Sequence, residues 1–118
     1  MALITSHTLN GTDGTHAGNI AVRLIVSKET RAPLFETCMD DGGRLSEVVD
    51  PTKIDPTLSY DLIFLTGPYW SISNTPVKPS QISDEIVIRF RMPNPDGQYH
   101  MPIILNPNSY SIWISGEE

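Results

Sequence analysis

The sequence is poor in residues on which several classes of protein depend. Cys38 is the only cysteine among 118 residues, so no disulfide can form within the chain. Only three histidines are present and they are scattered, whereas a zinc site needs clustered ligands at short spacing, so we predict no metal. Basic residues are also scarce: eight Lys and Arg oppose fourteen Asp and Glu, giving a net charge of -6. This balance argues against nucleic acid or an anionic membrane surface as a partner, because phosphate binding needs a basic stripe.

Long apolar runs are missing as well. No stretch approaches the roughly 18 consecutive apolar residues of a membrane-spanning helix, so we predict no membrane span. The start of the chain lacks a charged segment followed by an apolar core, so we predict no signal peptide. The end lacks a peroxisomal Ser-Lys-Leu, and with a single cysteine this makes the cytoplasm the expected location.

Proline, by contrast, is abundant and excludes a helical bundle. Ten prolines divide the chain, and each costs about 3 kcal/mol inside a helix. The pieces between them are rich in β-branched and aromatic residues at strand length. The predicted strands are Ala2–His7, Ile20–Val26, Leu34–Met39, Leu45–Val48, Ser59–Thr66, Glu85–Met92, Tyr99–Leu105 and Tyr110–Ser115. We therefore predict an all-β fold, a two-sheet antiparallel β-sandwich formed by a single domain over residues 1–118, with one helical turn between Gly67 and Asp84.

Alternation of side chains is clearest between Glu85 and Met92. Ile86, Ile88 and Phe90 fall on one face there, which predicts a half-buried antiparallel strand. The segment Pro93–Gly97 follows at hairpin distance and ends in Asp-Gly, a pair that supplies the positive φ of tight turns. We therefore predict a hairpin joining this strand to the one that begins near Tyr99.

Five segments together point to one known family. They are Ser6–Asn10, Asp41–Leu45, Ser59–Phe64, Gln98–Leu105 and Ser109–Ser111, and they occur in order along nearly the whole chain. In this set the sequence resembles the transthyretin and 5-hydroxyisourate hydrolase family. The resemblance implies a transthyretin-like sandwich and a homotetramer in which subunits pair edge to edge into dimers and two dimers face each other.

The resemblance also implies which residues do the chemistry. The hydrolase branch of the family carries two histidines and an arginine that match His7, Arg44 and His100, and it ends in Tyr-Arg-Gly-Ser, which is absent here. The implied activity is hydrolysis of 5-hydroxyisourate or a related cyclic ureide, a small-molecule substrate, without a metal or organic cofactor. The His pair would activate water, and the arginine would hold substrate oxygens.

Elementary chemistry agrees with those roles. Histidine titrates near neutrality, so one ring can accept a proton while another donates one, and the planar guanidinium of Arg44 suits a flat, carbonyl-rich ring. His7 and His100, each taken alone, would more often be structural or surface residues of a strand. We interpret His16 as a histidine of a surface loop and Cys38 as a small buried hydrophobe.

The last predicted strand holds one conspicuous aromatic residue. Alternation places Ser111, Trp113 and Ser115 on one face, and we take these three as candidate substrate-binding residues. Trp113 either fills a contact between subunits or forms the aromatic wall of a ligand pocket. The opposite face, with Tyr110, Ile112 and Ile114, is predicted to meet the core.

Two alternatives to the hydrolase remain at this stage. Without the terminal Tyr-Arg-Gly-Ser, the protein could be a family member redirected to another small-molecule reaction. It could also be a non-catalytic small-molecule carrier, whose last strand would lack the same motif. A purely structural or interaction domain is compatible with the fold but leaves the two histidines and Arg44 unexplained.

Overall fold

A computed structural model describes residues 1–29, 32–72 and 81–116. The strands are β1 (Ala2–Asn10), β2 (Ala21–Val26), β3 (Phe35–Cys38), β4 (Arg44–Val49), β5 (Ser59–Leu65), β6 (Ile86–Arg91), β7 (Gln98–His100), β8 (Ile103–Asn106), β9 (Ser109–Ile112) and β10 (Ser115–Gly116), with a 3₁₀ turn at Pro51–Lys53 and helix α1 at Thr66–Ile72. They form sheets of six and four strands that share one apolar core. The predicted all-β sandwich is thus confirmed. No helix in the described part of the chain has the length and apolar character needed to cross a membrane.

Strand β1 is the centre of the six-stranded sheet. It pairs antiparallel with β4 on one side and parallel with both β7 and β8 on the other. Leu3 lies opposite Gln98 and Thr8 opposite Ile103, so the same register holds along both short strands. The predicted single strand Tyr99–Leu105 is therefore interrupted, at Met101 and Pro102, because proline has no N–H to donate to the ladder.

The same interruption appears one strand further out. Strand β9 pairs antiparallel with β8, and β10 pairs antiparallel with β7. The backbone N–H of Trp113 donates to the carbonyl of Pro102 at 3.2 Å, between the two short ladders. The predicted strand Tyr110–Ser115 is thus two strands separated by Trp113 and Ile114.

The four-stranded sheet has the order β3-β2-β5-β6, with every pair antiparallel. The alternation predicted for β6 is confirmed, since Ile86, Ile88 and Phe90 are buried while Val87 and Arg89 are exposed. The single predicted helical turn corresponds to the start of α1, and residues 73–80 of that segment lie outside the described residues.

The predicted hairpin at Pro93–Gly97 is wrong. Strand β6 pairs with β5 in one sheet, whereas β7 pairs with β1 in the other, so this segment is a corner between the sheets. The turn closes on itself, with the Gly97 N–H donating to the carbonyl of Asn94 at 2.9 Å. The buried Tyr99 holds it from below, because its hydroxyl accepts from the Asn94 N–H and donates to the Asn94 carbonyl, each at 2.9 Å.

Cys38 also differs from its prediction. It is exposed at the end of β3, while its neighbour Met39 is buried in the core. Successive side chains of an extended chain point to opposite sides, so burying the larger Met39 turns Cys38 outward. An apolar run in the sequence did not distinguish between these two neighbours.

Candidate active site on the outer face of the six-stranded sheet

His7 lies on the outer face of the sheet, in the middle of β1. The predicted strand ended at this residue, but β1 continues for three residues to Asn10. Its continuation buries two polar side chains that are hydrogen-bonded: Thr8 Oγ1 donates to the Ala17 carbonyl at 2.6 Å, and Asn10 Nδ2 donates to the hydroxyl of Tyr69 at 3.0 Å. Satisfied polar groups can be buried at little cost, which is why the strand does not stop where its apolar residues do.

Strand register brings the other two candidates to the same face. Arg44 is the pairing partner of His7 across β1 and β4, and His100 is the partner of Thr5 across β1 and β7. His100 is thus displaced from His7 by one strand and two residues, about 8 Å given the usual strand spacing and rise. The structure therefore brings His7, Arg44 and His100 together on one surface from three different strands.

A tight turn before β4 sets the position of Arg44. The Asp40 carboxylate accepts from the backbone N–H groups of Gly42 and Arg44, both at 2.9 Å. Gly43 has a φ of 72°, and a Cβ at this residue would lie 2.5 Å from the Thr8 carbonyl oxygen. A glycine is thus required at residue 43 both by the positive φ and by the close approach to β1.

The turn also supplies a contact to His7. The Gly42 carbonyl oxygen lies 3.1 Å from Nε2 of His7. The same nitrogen lies 2.9 Å from Nδ1 of His16, and the two imidazole ring centres are 5.0 Å apart. His16 is exposed, as expected for a loop histidine, but its contact with His7 was missed. Only the fold of the loop brings these rings together, and no spacing in the sequence signals it.

The surroundings lower the pKa of His7 below its ordinary value of 6.5. Burial is the main cause, because it disfavours the charged ring, and the positive charges of Arg44 and His16 act in the same direction. The Gly42 carbonyl and the Asp40 carboxylate oppose this shift. His7 is therefore neutral at neutral pH and able to accept a proton.

His100 has different surroundings. Its Nδ1 lies 2.8 Å from the hydroxyl oxygen of Thr5, which orients the ring from the neighbouring strand. Ser115 of β10 is its pairing partner on the other side. His100 is exposed, while its neighbours Tyr99 and Met101 are buried.

A groove of about 310 Å³ runs along this face beside His7. Its lining is His7, Leu9, Pro102, Ile103, Ile104, Ser111, Ile112 and Trp113. The groove thus gathers His7, Ser111 and Trp113, whereas Arg44, His100 and Ser115 lie on the same face outside its lining. Within residues 1–29, 32–72 and 81–116, no group of three or more His, Cys, Asp or Glu side chains could hold a metal ion.

The expected burial of Tyr110, Ile112 and Ile114 against the core is wrong. Tyr110 lies opposite Leu105 and Ile112 opposite Ile103, so both belong to the core side of the sheet. They are nevertheless 48% and 38% exposed, and Ile114 is 47% exposed. Strand β9 lies at an edge of its sheet, so its side chains keep one flank toward solvent.

Curated relatives cover nearly the whole chain. The 5-hydroxyisourate hydrolase of Pseudomonas aeruginosa is 26% identical over 115 residues, which is 96% of this chain and 90% of that protein. The 5-hydroxyisourate hydrolase of Caulobacter vibrioides is 30% identical over 116 residues, which is 96% of this chain and 97% of that protein.

Solved structures share the fold. Transthyretin from Sparus aurata superposes with a TM-score of 0.77 at 20% identity, covering 98% of this chain and 97% of that one. The crystal structure of (S)-allantoin synthase gives a TM-score of 0.77 at 25% identity over 97% of this chain, which spans only 43% of the synthase chain. The sequence model of the HIUase/Transthyretin family matches residues 4–114, a span that includes His7, Arg44 and His100 and every strand except β10 and the first two residues of β1. This chain therefore belongs to the HIUase/transthyretin family.

Proposed function

We propose that this protein is an enzyme that hydrolyses 5-hydroxyisourate or a related cyclic ureide. Support comes from relatives across its whole length that are named 5-hydroxyisourate hydrolases, at 23–30% identity. The observation that carries the proposal is the convergence of His7, Arg44 and His100 on one sheet face beside a groove. These residue types can supply a base, a cation for an oxyanion and a proton donor, which hydrolysis of an amide requires.

In the proposed mechanism His7 is the base. Its pKa is lowered by burial, then by Arg44 and His16, so the neutral ring is available to take a proton from water. The water oxygen attacks a ring carbonyl, and the guanidinium of Arg44 holds the oxygen that becomes negative. His100 then gives a proton to the nitrogen as the carbon–nitrogen bond breaks. The products are a carboxylic acid and a free ureide nitrogen on the opened ring.

Trp113, Ser111 and Ser115 complete the proposed site. The indole of Trp113 forms one wall of the groove, where a flat heterocycle can stack on it. The hydroxyls of Ser111 and Ser115 lie on the same face and can bind substrate oxygens or N–H groups. In this proposal they stand in for the Tyr-Arg-Gly-Ser ending that the chain lacks.

We also propose a homotetramer, a dimer of dimers. The outer face carries exposed apolar side chains, among them Val48, Ile104 and Trp113, and β9 is an edge strand. A second subunit would cover both features, because pairing satisfies edge backbone groups and burial removes apolar surface from water.

The test is the decay of freshly generated 5-hydroxyisourate, followed by ultraviolet absorbance with and without the protein. We expect acceleration by the wild type and a loss of about 100-fold or more in kcat/KM for His7→Ala, Arg44→Gln and His100→Ala. Arg91→Gln changes an exposed arginine of the other sheet and serves as the matched control, with an unchanged rate. A folded wild type that does not accelerate the decay would contradict the proposal, and unchanged rates in all three variants would contradict the site.

A small-molecule carrier is the second candidate, favoured by the groove itself. Six of its eight lining residues are apolar, namely Leu9, Pro102, Ile103, Ile104, Ile112 and Trp113. A carrier would bind a flat aromatic compound stoichiometrically without turnover. Its affinity would survive His100→Ala, whereas an enzyme's rate would not.

A further inference from the structure

We infer that His16 is a positioning residue for His7. Together with the Gly42 carbonyl, it determines which ring nitrogen of His7 carries the hydrogen and which one is left to react. The inference rests on the proposed function, in which His7 accepts the proton of the attacking water. It adds a residue to the site that the family resemblance did not include.

The first step is the chemistry of the two groups that face Nε2 of His7. The Gly42 carbonyl oxygen, 3.1 Å away, can only accept a hydrogen bond. Nε2 of His7 must therefore carry the hydrogen. If His16 donated to Nε2 instead, the lone pair of Nε2 would face a lone pair of the Gly42 carbonyl oxygen at 3.1 Å, which is unfavourable.

The second step assigns the protons of both rings. Since Nε2 of His7 donates, Nδ1 of His16 at 2.9 Å is an acceptor, and neutral His16 carries its own hydrogen on Nε2. The hydrogen of His7 is shared between the carbonyl and the second imidazole. Nδ1 of His7 is then the nitrogen with the lone pair, and it is the atom that takes the proton from water.

The third step concerns the charged state. When Nδ1 of His7 is protonated, the ring becomes an imidazolium, and its Nε2–H still points at two acceptors. Hydrogen bonds from a charged donor are about twice as strong as neutral ones, so the Gly42 carbonyl and a neutral His16 each stabilise the ring more after proton uptake than before it. A protonated His16 has no lone pair on Nδ1 and acts in the opposite direction, because its positive charge lowers the pKa of His7. A third group that orients the base and stabilises its charged form is a general feature of such sites.

The backbone holds His16 where this role requires it. The backbone carbonyl of Thr15, which precedes His16, accepts a hydrogen bond from the Asn10 N–H at 2.7 Å. The backbone N–H of Ala17, which follows His16, donates to the Thr8 carbonyl at 2.9 Å. His16 itself forms an isolated β-bridge with Leu9. The backbone of His16 is therefore anchored to β1 from both sides, although its side chain is exposed.

Nuclear magnetic resonance of substrate-free, nitrogen-15-labelled protein tests the hydrogen bond directly. At a mildly alkaline pH we expect Nε2-protonated His7, with a scalar coupling between its Nε2 and Nδ1 of His16. His16→Phe keeps a ring but removes the acceptor, so the coupling disappears. A His7 ring protonated on Nδ1, or no coupling in the wild type, would overturn the inference.

Kinetics on 5-hydroxyisourate test the consequence. Because the lost bond is charge-assisted after proton uptake, we expect His16→Phe to lower kcat by about 10- to 100-fold with little change in KM. His16→Asn restores an oxygen acceptor and should recover much of kcat, while Arg91→Gln, on the exposed face of the other sheet, should match the wild type. An unchanged kcat in His16→Phe, or no recovery in His16→Asn, would overturn the positioning role.

The two proposals fail separately. A wild type without turnover overturns the proposed function, whereas the resonance experiment uses no substrate and decides the contact between His7 and His16 on its own. Coupling found in an inactive wild type would support the proton assignment and redirect the search to another reaction that uses His7 Nδ1.

Discussion

The titration of His7 depends most directly on single residues around it. Its pKa lies below 6.5 because burial disfavours the charged ring and because Arg44 and His16 add positive charge nearby. Arg44→Gln removes one of these causes, so the pKa of His7 should rise toward its ordinary value. If an activity needs neutral His7, the acid limb of its pH profile moves to higher pH as the pKa of His7 rises.

A proton resonance titration of the His7 ring measures this shift without requiring turnover. Arg91→Gln is the control, since it removes the same charge from the exposed face of the other sheet and should leave the His7 midpoint in place. Equal midpoints in Arg44→Gln and wild type would show that the charge of Arg44 does not reach the ring.

At the scale of elements, the corner between β6 and β7 depends on one buried hydroxyl. Tyr99 is 5% exposed, and its hydroxyl bonds both the N–H and the carbonyl of Asn94. Tyr99→Phe removes both bonds and leaves these groups without the hydroxyl, so we expect the free energy of unfolding to fall by about 1–2 kcal/mol.

Urea denaturation at one fixed protein concentration measures this loss. Tyr110→Phe is the matched control, because Tyr110 is 48% exposed and its hydroxyl removal should change stability by less than about 0.5 kcal/mol. Equal stabilities of the two variants would mean that the other hydrogen bonds of the corner hold it without the Tyr99 hydroxyl.

The same corner shows where sequence patterns suffice for elements and where they fail. The alternation of β6 is a local property, and it predicted the buried face of that strand correctly. The hairpin prediction failed because Asp-Gly specifies a turn but not the strand that pairs after it, and β7 adds to β1, some 95 residues earlier. Pairing partners are chosen by long-range packing, which short motifs do not encode.

For the molecule as a whole, the candidate site also has one part that the sequence predicts and another that it does not. His7, Arg44 and His100 were identified by resemblance, and strand register places all three on one face of the sheet. His16 was missed because its role depends on a loop that returns to β1, and the burial of Tyr110 and Ile112 was overestimated because alternation cannot reveal that β9 is an edge. Alternation along one strand therefore predicts which of its residues lie on the same face. Which residues of different strands come together on that face depends on how the strands pair in the folded sheet.

That edge leads to a prediction about assembly. The Trp113 N–H points inward to Pro102, and N–H groups alternate along a strand, so the N–H groups of Tyr110 and Ile112 point outward. If subunits of the proposed tetramer pair through β9, each outward N–H donates a hydrogen bond across the subunit interface. Tyr110→Pro removes one such donor without removing a bond to β8, so the assembly should dissociate into smaller species while each subunit stays folded.

Light scattering coupled to size-exclusion chromatography measures the mass, and circular dichroism checks the fold. Tyr110→Val removes the same ring but keeps the N–H and favours a strand, so it should retain the wild-type mass. Exposed strand edges pair through these backbone groups. The difference in mass between Tyr110→Pro and Tyr110→Val therefore separates the contribution of the backbone N–H from that of the side chain. A mass equal to that of the wild type in both variants would show that the subunits associate through the outer face of the sheet and not through the edge of β9.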